Sequence, residues 1–122
     1  MIQQIVSMIV EALLHKKKIR QKEWEDYDHL TRQILGTDTR DLLNTSADEL
    51  IARHADTPDG MEKLELAAVN MLKLAEEVDE DNPLLKSRLR QEGILLLKYI
   101  QQHSDNYSLQ REFLIGLLET NL

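Results

Sequence analysis

Apolar residues recur at helical spacing along most of the chain. The N-terminal stripe repeats every three or four residues and consists of Ile2, Ile5, Val6, Ile9 and Leu13. Val10 and Leu14 lie beside this stripe and widen it. No run of Val, Ile and Thr alternates with polar residues, so the pattern predicts no strand. The chain is therefore predicted to be all-α.

The apolar stripe lapses between His15 and Glu23 and resumes at Trp24. One helix over residues 2–35 would be about 50 Å long, which exceeds the width of a compact domain of this size. We therefore predict two antiparallel helices with a turn near residues 17–22. A single helix stays open as the alternative, because the polar residues of this stretch are good helix formers.

Start and stop signals divide the rest of the chain. Gly36 is typical of a helix C-cap, and the polar stretch after it has room for one helical turn around Leu42-Leu43. The pattern from Ser46 to Glu49 is a capping box that predicts a short helix ending near His54.

Two proline signals predict the longer helices. Thr57-Pro58 predicts a helix that ends near Val78, and Asn82-Pro83 predicts one that ends near Gln102. A last helix is predicted from about Ser108, with apolar residues Leu109, Phe113, Leu114, Leu117 and Leu118. Gly93 and Gly116 lie inside these helices, where glycine costs close to 1 kcal/mol against Ala. At Gly93 this indicates either a close helix contact or no role at all, and Gly116 would also permit close packing. Residues 1–122 thus read as one domain of five to six antiparallel helices, arranged as an α-α superhelix or an irregular bundle.

Composition narrows the function. The net charge is −7, which disfavours nucleic acid and anionic membranes as partners, and the absence of cysteine excludes thiolate chemistry. The apolar N-terminus lacks a basic segment before it and a cleavage site after it, so we expect an amphipathic helix and a cytoplasmic protein.

The most distinctive charged feature is a basic cluster that consists of Lys16, Lys17, Lys18, Arg20 and Lys22. Beside an apolar helix it could contact phosphates or an anionic membrane surface. The acids Glu23, Glu25 and Asp26 follow at once and would repel both ligands. A solvated helix junction is the simpler interpretation, and docking of an acidic protein segment is the main alternative.

No motif predicts an enzyme, a cofactor or a metal centre. Asp26 and His29 form one D-x-x-H pair, with Glu25 nearby, but a bundle di-iron site needs two such pairs and further carboxylates. The four glycines are isolated, so no glycine-rich loop is available for phosphate. A pocket lined by Trp24, Tyr27 and Tyr99 would instead favour a small-molecule binder or an enzyme.

Part of the chain resembles a tetratricopeptide repeat. Ala68, Leu72 and Ala75 match the small, large and small positions of the repeat's second helix, and the turn over residues 78–83 resembles the turn into a next repeat. The match then fails, because Lys86, Arg90 and Gly93 stand where the repeat has Trp, Gly and Tyr. The resemblance therefore covers one half-repeat.

The whole chain also resembles a family of small bacterial proteins of unassigned function with tetratricopeptide-repeat-like helical folds. The resemblance is carried by residues 34–38, by Leu42-Leu43 and by residues 46–51. It implies a repeat-like helical fold and no catalytic residues.

A protein-interaction or scaffolding module is the leading hypothesis. Its partner would be another protein or a second copy, and the candidate contact residues are Val10, Leu14 and the basic cluster. If α-helical residues 2–14 present one stripe to a second copy, Val10→Glu should convert a dimer to a monomer. The alternative is that both stripes are buried within the domain, which is the more common case.

Overall fold

The computed structural model describes residues 2–15, 20–78, 81–105 and 108–120. In these ranges the chain forms six α-helices and one 3-10 helix, and it has no strand. The α-helices are α1 (Ile2–His15), α2 (Gln21–Leu35), α3 (Ala47–His54), α4 (Gly60–Glu77), α5 (Pro83–His103) and α6 (Leu109–Thr120). The all-α prediction is confirmed. There is one helical element more than the predicted five to six, because the stretch around Leu42-Leu43 forms the 3-10 helix, Thr39–Asn44.

The described parts of residues 2–35 form two separate helices, α1 and α2, as predicted. Arg20 has extended backbone (φ −60°, ψ 141°) directly before α2, and residues 16–19 lie outside the described residues. The expected antiparallel packing of these two helices is not seen in the described ranges. There α1 packs mainly on α4, whereas α2 contacts α4 and the 3-10 helix, because α4 is apolar on several sides and covers both.

Three predicted caps have the expected geometry. Gly36 ends α2 in the left-handed region (φ 75°), and its N–H donates to the Arg32 carbonyl. The Ser46 hydroxyl accepts the Glu49 N–H at 3.2 Å and starts α3. The Asn82 side chain accepts the Leu85 N–H at 3.3 Å, and Pro83 occupies the first turn of α5.

The predicted start of α4 at Thr57-Pro58 is wrong by two residues. The Thr57 hydroxyl donates to the His54 carbonyl at 2.6 Å, so it closes the end of α3 instead of capping α4. Asp59 precedes the helix in the left-handed region (φ 58°), and α4 begins at Gly60. A Cβ at Gly60 would lie within 3 Å of the His54 and Ala55 carbonyl oxygens, so this tight corner requires glycine.

The core is built around α4. Every residue from Leu64 to Leu72 is buried, and α1, α2, α3, α5 and the 3-10 helix all contact this helix. Its largest interface is with α5, where Gly93 faces α4: a Cβ there would lie 3.0 Å from the Leu72 side chain and 3.3 Å from the Ala68 carbonyl. The close helix contact considered for Gly93 is therefore present.

Two side chains of α5 form hydrogen bonds with the 3-10 helix and α3. The Glu92 carboxylate accepts the backbone N–H of Ala47, at the start of α3, at 2.7 Å. The Arg88 guanidinium donates to the Leu43 carbonyl at the end of the 3-10 helix. Both bonds occupy backbone groups that a helix terminus leaves without an internal partner, so they fix the 3-10 helix and α3 against α5.

Candidate functional site

The basic cluster is only partly described. Lys16, Lys17 and Lys18 lie outside the described residues, whereas Arg20 and Lys22 are exposed at the start of α2. Among the described residues, no helix is both long and apolar enough to cross a membrane.

The two apolar candidates on α1 are directed inward. Val10 is 4% exposed and belongs to the core, and Leu14 is half-buried against the same core. Both stripes of α1 are thus largely taken up within the fold, which was the alternative to an interface. Val10→Glu would place a carboxylate in the core, so that change would report on folding and not on association.

The residues considered for metal binding do not converge. No group of three or more potential His, Asp and Glu ligands occurs in the described part of the chain. His29 is exposed on α2, where its ring contacts Gln33 at 3.3 Å. Trp24, Tyr27 and Tyr99 are packed against the core, and Tyr99 stacks on His103 with ring centroids 4.0 Å apart.

The outer face of α6 is apolar and exposed. Leu109, Phe113 and Leu117 are 77%, 64% and 39% exposed, whereas Leu114 and Ile115 on the opposite face are buried. Residues four apart lie above one another on a helix, so the three exposed side chains form one stripe. We call these three residues the α6 stripe.

The apolar set predicted for the last helix contains both the α6 stripe and the buried Leu114, and it leaves out the buried Ile115. A signal for the difference was present, because six large apolar residues among residues 109–118 are more than one core-facing stripe requires. Periodicity alone did not show which of the two faces would dock on the protein.

Gly116 lies on the exposed side of α6, beside the α6 stripe. A Cβ at this position would meet nothing within 4 Å. A glycine inside a helix costs about 1 kcal/mol against Ala, and here no contact within the described structure requires it. The absence of a side chain leaves the backbone accessible to a second helix at this point.

Two carboxylates and one lysine border the α6 stripe. Glu112 accepts a hydrogen bond from Gln101 at 3.1 Å, and Glu119 pairs with Lys98, so both carboxylates lie along the edge of α6 that faces α5. The only basic residue of α6 is Arg111, which is buried. The edge of the stripe therefore has an excess of one negative charge, from Glu112, and α6 itself has no exposed cation.

A buried polar network holds the inner face of α6. Arg111 Nε donates to a Glu65 carboxylate oxygen on α4 at 2.5 Å, and both side chains are more than nine-tenths buried. Arg111 Nη1 donates to the Gln101 side-chain oxygen at 2.6 Å. Gln101 in turn donates to the Ser108 carbonyl at 3.0 Å. These bonds orient α6 so that the α6 stripe faces outward.

A pocket of about 310 Å³ lies where α1, α4, α5 and α6 meet. Its walls combine apolar residues with the polar network, and Val10 is part of the wall. Trp24, Tyr27 and Tyr99 do not line this pocket.

His54 is buried at the corner between α3 and α4. Burial lowers the pKa of its imidazole below the ordinary 6.5, and the nearby charges of Lys63 and Arg53 lower the pKa further. The neutral form of His54 is therefore the one that the folded state favours.

Comparisons with known proteins do not assign the chain to a family. No protein-family model matches the chain, and neither a curated protein nor a solved structure matches it. The resemblance to tetratricopeptide-like proteins stays a prediction.

Proposed function

We propose that the protein is a non-catalytic protein-interaction module that packs an amphipathic helix of a partner against the α6 stripe. The observation that carries the proposal is the exposure of Leu109 and Phe113 on one helix face. Burying a Leu or Phe side chain contributes about 1.5–3 kcal/mol, so a folded protein that leaves two of them adjacent and exposed retains binding energy for a partner.

The charges of α6 define the partner's chemistry. Glu112 and Glu119 border the stripe on the side of α5, and the whole chain has a net charge of −7. A partner helix with Lys or Arg beside its own apolar stripe would complement these carboxylates. A second copy would instead bring acidic edges together, so another protein is the favoured occupant.

The dimensions of the stripe indicate a transient complex. Stable complexes bury about 800 Å² on each partner, and three side chains on one helix provide less than this. Gly116 allows the partner's backbone to approach closely, which raises the contact area along the same face. We therefore expect binding in the micromolar range or weaker.

The proposal includes a helical-repeat architecture. Helical repeats of the tetratricopeptide type stack helix pairs and present a binding surface. The close packing of Gly93 against Ala68 and Leu72 supports such a pair in α4 and α5. We also propose a bacterial origin, a cytoplasmic location and a tetratricopeptide-like arrangement of the helices.

The test uses two designed helical peptides with the same leucine stripe, one flanked by Lys and one by Glu. Fluorescence anisotropy should show that the Lys peptide binds the wild-type chain more tightly than the Glu peptide. The double variant Leu109→Ser/Phe113→Ser should lose at least tenfold in affinity, equivalent to about 1.4 kcal/mol. Leu84→Ser is the matched control, because Leu84 is a more exposed leucine at the start of α5 and lies outside the stripe.

The mass of the protein in solution shows whether a second copy occupies the α6 stripe. Light scattering should give a monomer for the wild-type chain, as the acidic edges predict. If the wild-type chain is a dimer and the double variant is a monomer, the α6 stripe is an interface whose partner is a second copy. Equal binding of both peptides to wild type and double variant would overturn the proposal.

A further inference from the structure

The pocket between α1, α4, α5 and α6 has the size of a site for a small ligand. Its volume of about 310 Å³ is at the lower end of the range of ligand sites, which runs from about 300 to 1,000 Å³. Val6 and Val10 of α1 form one apolar wall, and Leu97 and Leu114 contribute from α5 and α6. These four side chains supply the apolar part of the wall, which an aliphatic chain of a few carbons would contact.

The charged groups of the pocket leave an excess of negative charge. Glu65 and Arg111 neutralise each other through their 2.5 Å contact, and Gln101 takes a further donor of the guanidinium. Glu62 lies about one turn before Glu65 on α4 and lines the same pocket. Two carboxylates and one guanidinium thus give the pocket a net charge of −1, which opposes an anion and attracts a cation.

The neutral polar groups of the pocket can accept hydrogen bonds. Gln3, Ser108 and Gln110 line the same pocket as Glu62, and each has a side-chain oxygen. A primary ammonium group has three donors and no acceptor, so it fits a wall that combines a carboxylate with such oxygens.

We propose that this pocket binds a small primary amine with an aliphatic stem, the ammonium group at Glu62 and the stem between Val10 and Leu114. The same chemistry is present in a free alkylamine and in a lysine side chain. This inference does not depend on the α6 stripe, because the pocket lies on the inner side of α6.

The test is a titration of the isotope-labelled chain with three probes of equal stem length, n-hexylamine, n-hexanol and n-hexanoate, followed by amide chemical shifts. Millimolar hexylamine should shift the amides of Val10, Val69 and Leu114 and leave those of α3 in place. An ion pair in this partly open site is worth up to about 1 kcal/mol, so hexylamine should bind up to about fivefold more tightly than hexanol, and hexanoate least tightly.

Two variants examine the role of the carboxylate. Glu62→Gln should reduce the affinity for hexylamine to that for hexanol. Glu77→Gln is the matched control, because it removes the same charge from an exposed position of α4 about 22 Å away and should leave the preference for the amine unchanged. Both residues are exposed, so neither change should disturb folding.

The results distinguish a free amine from a lysine side chain, and two of them would contradict the proposal. N-acetyl-lysine amide binding more tightly than hexylamine would assign the pocket to a lysine of a partner chain, and the reverse order would assign it to a free amine. Hexanoate binding as tightly as hexylamine, or an absence of shifts at the pocket amides, would overturn it. Failure here would leave the peptide experiment on the α6 stripe unaffected.

Discussion

The α4–α5 pair and α6 use the same residue types in opposite ways. In α5, Gly93 lets the helix approach Leu72 and Ala68 of α4 so closely that a methyl group would be in tight contact. In α6, Gly116 faces open space, and large apolar side chains beside it are exposed. A glycine inside a helix therefore has a structural reason in the first region, whereas in the second no described contact requires it.

The largest expected difference concerns leucines. Leu66 of α4 is fully buried, so Leu66→Ala should lower the free energy of unfolding by about 4 kcal/mol through lost burial and the cavity left behind. Leu109→Ala on the α6 stripe should change it by less than about 0.5 kcal/mol. Urea unfolding followed by circular dichroism measures both. Equal losses would mean that the outer face of α6 is covered in solution.

The ion pair that holds α6 comes next. Arg111→Met leaves the buried Glu65 carboxylate without its charge partner, which should cost about 3 kcal/mol of stability. Adding Glu65→Met should restore most of this loss, because no uncompensated charge remains. Arg53→Met is the control: it removes an exposed pair with Glu49 at 3.8 Å and should cost under about 0.5 kcal/mol in the same urea titration. A single Arg111 variant as stable as wild type would contradict the proposed role of the network.

The two glycines themselves give the sharpest contrast. Gly93→Val should destabilise the fold by about 2 kcal/mol, because the added methyl groups collide with Leu72 and the Ala68 carbonyl. Gly116→Val should stabilise the isolated chain by about 0.5 kcal/mol, since Val is the better helix former. The same change should weaken binding of the Lys peptide, measured by anisotropy. Stabilisation of the chain with unchanged peptide affinity would separate Gly116 from the binding face.

The smallest effect is expected where α3 meets α4. The pKa of His54 is lowered below 6.5 in the folded state, so below that pH the unfolded chain binds the proton more readily. Stability contributed by His54 should be complete above pH 6.5 and decline as the pH falls from there toward the lower folded pKa. His54→Gln should flatten this part of the stability profile from urea titrations. His29→Gln, which removes an exposed imidazole from α2, should keep the slope; an unchanged slope in His54→Gln would contradict the role of burial.

Local signals predicted most helix boundaries. Ser46 and Asn82 accept the N–H groups that their caps require, because a cap depends on residues within one turn. Thr57 has the same sequence signature, but its hydroxyl contacts the His54 carbonyl and α4 begins later. Two acceptable local partners compete at such a residue, and packing at the corner around Gly60 decides between them.

The candidate sites were less predictable than the boundaries. The α6 stripe and the core residues Leu114 and Ile115 are all apolar, so composition did not separate them. The contact between Arg111 and Glu65 joins residues 46 apart in sequence, and the pocket beside it exists only once four helices meet. Such long-range contacts have no signature in one stretch of sequence.

By itself, the sequence determined that the chain is helical, where most helices begin and end, and that no thiol chemistry is available. Periodicity and capping act over three or four residues, so they can be read directly. Tertiary structure decided that Val10 lies inside, that Gly93 is a contact and Gly116 is not, and that Phe113 faces outward. These outcomes depend on how α4 is surrounded, because burial is a property of all the helices together and not of any one of them.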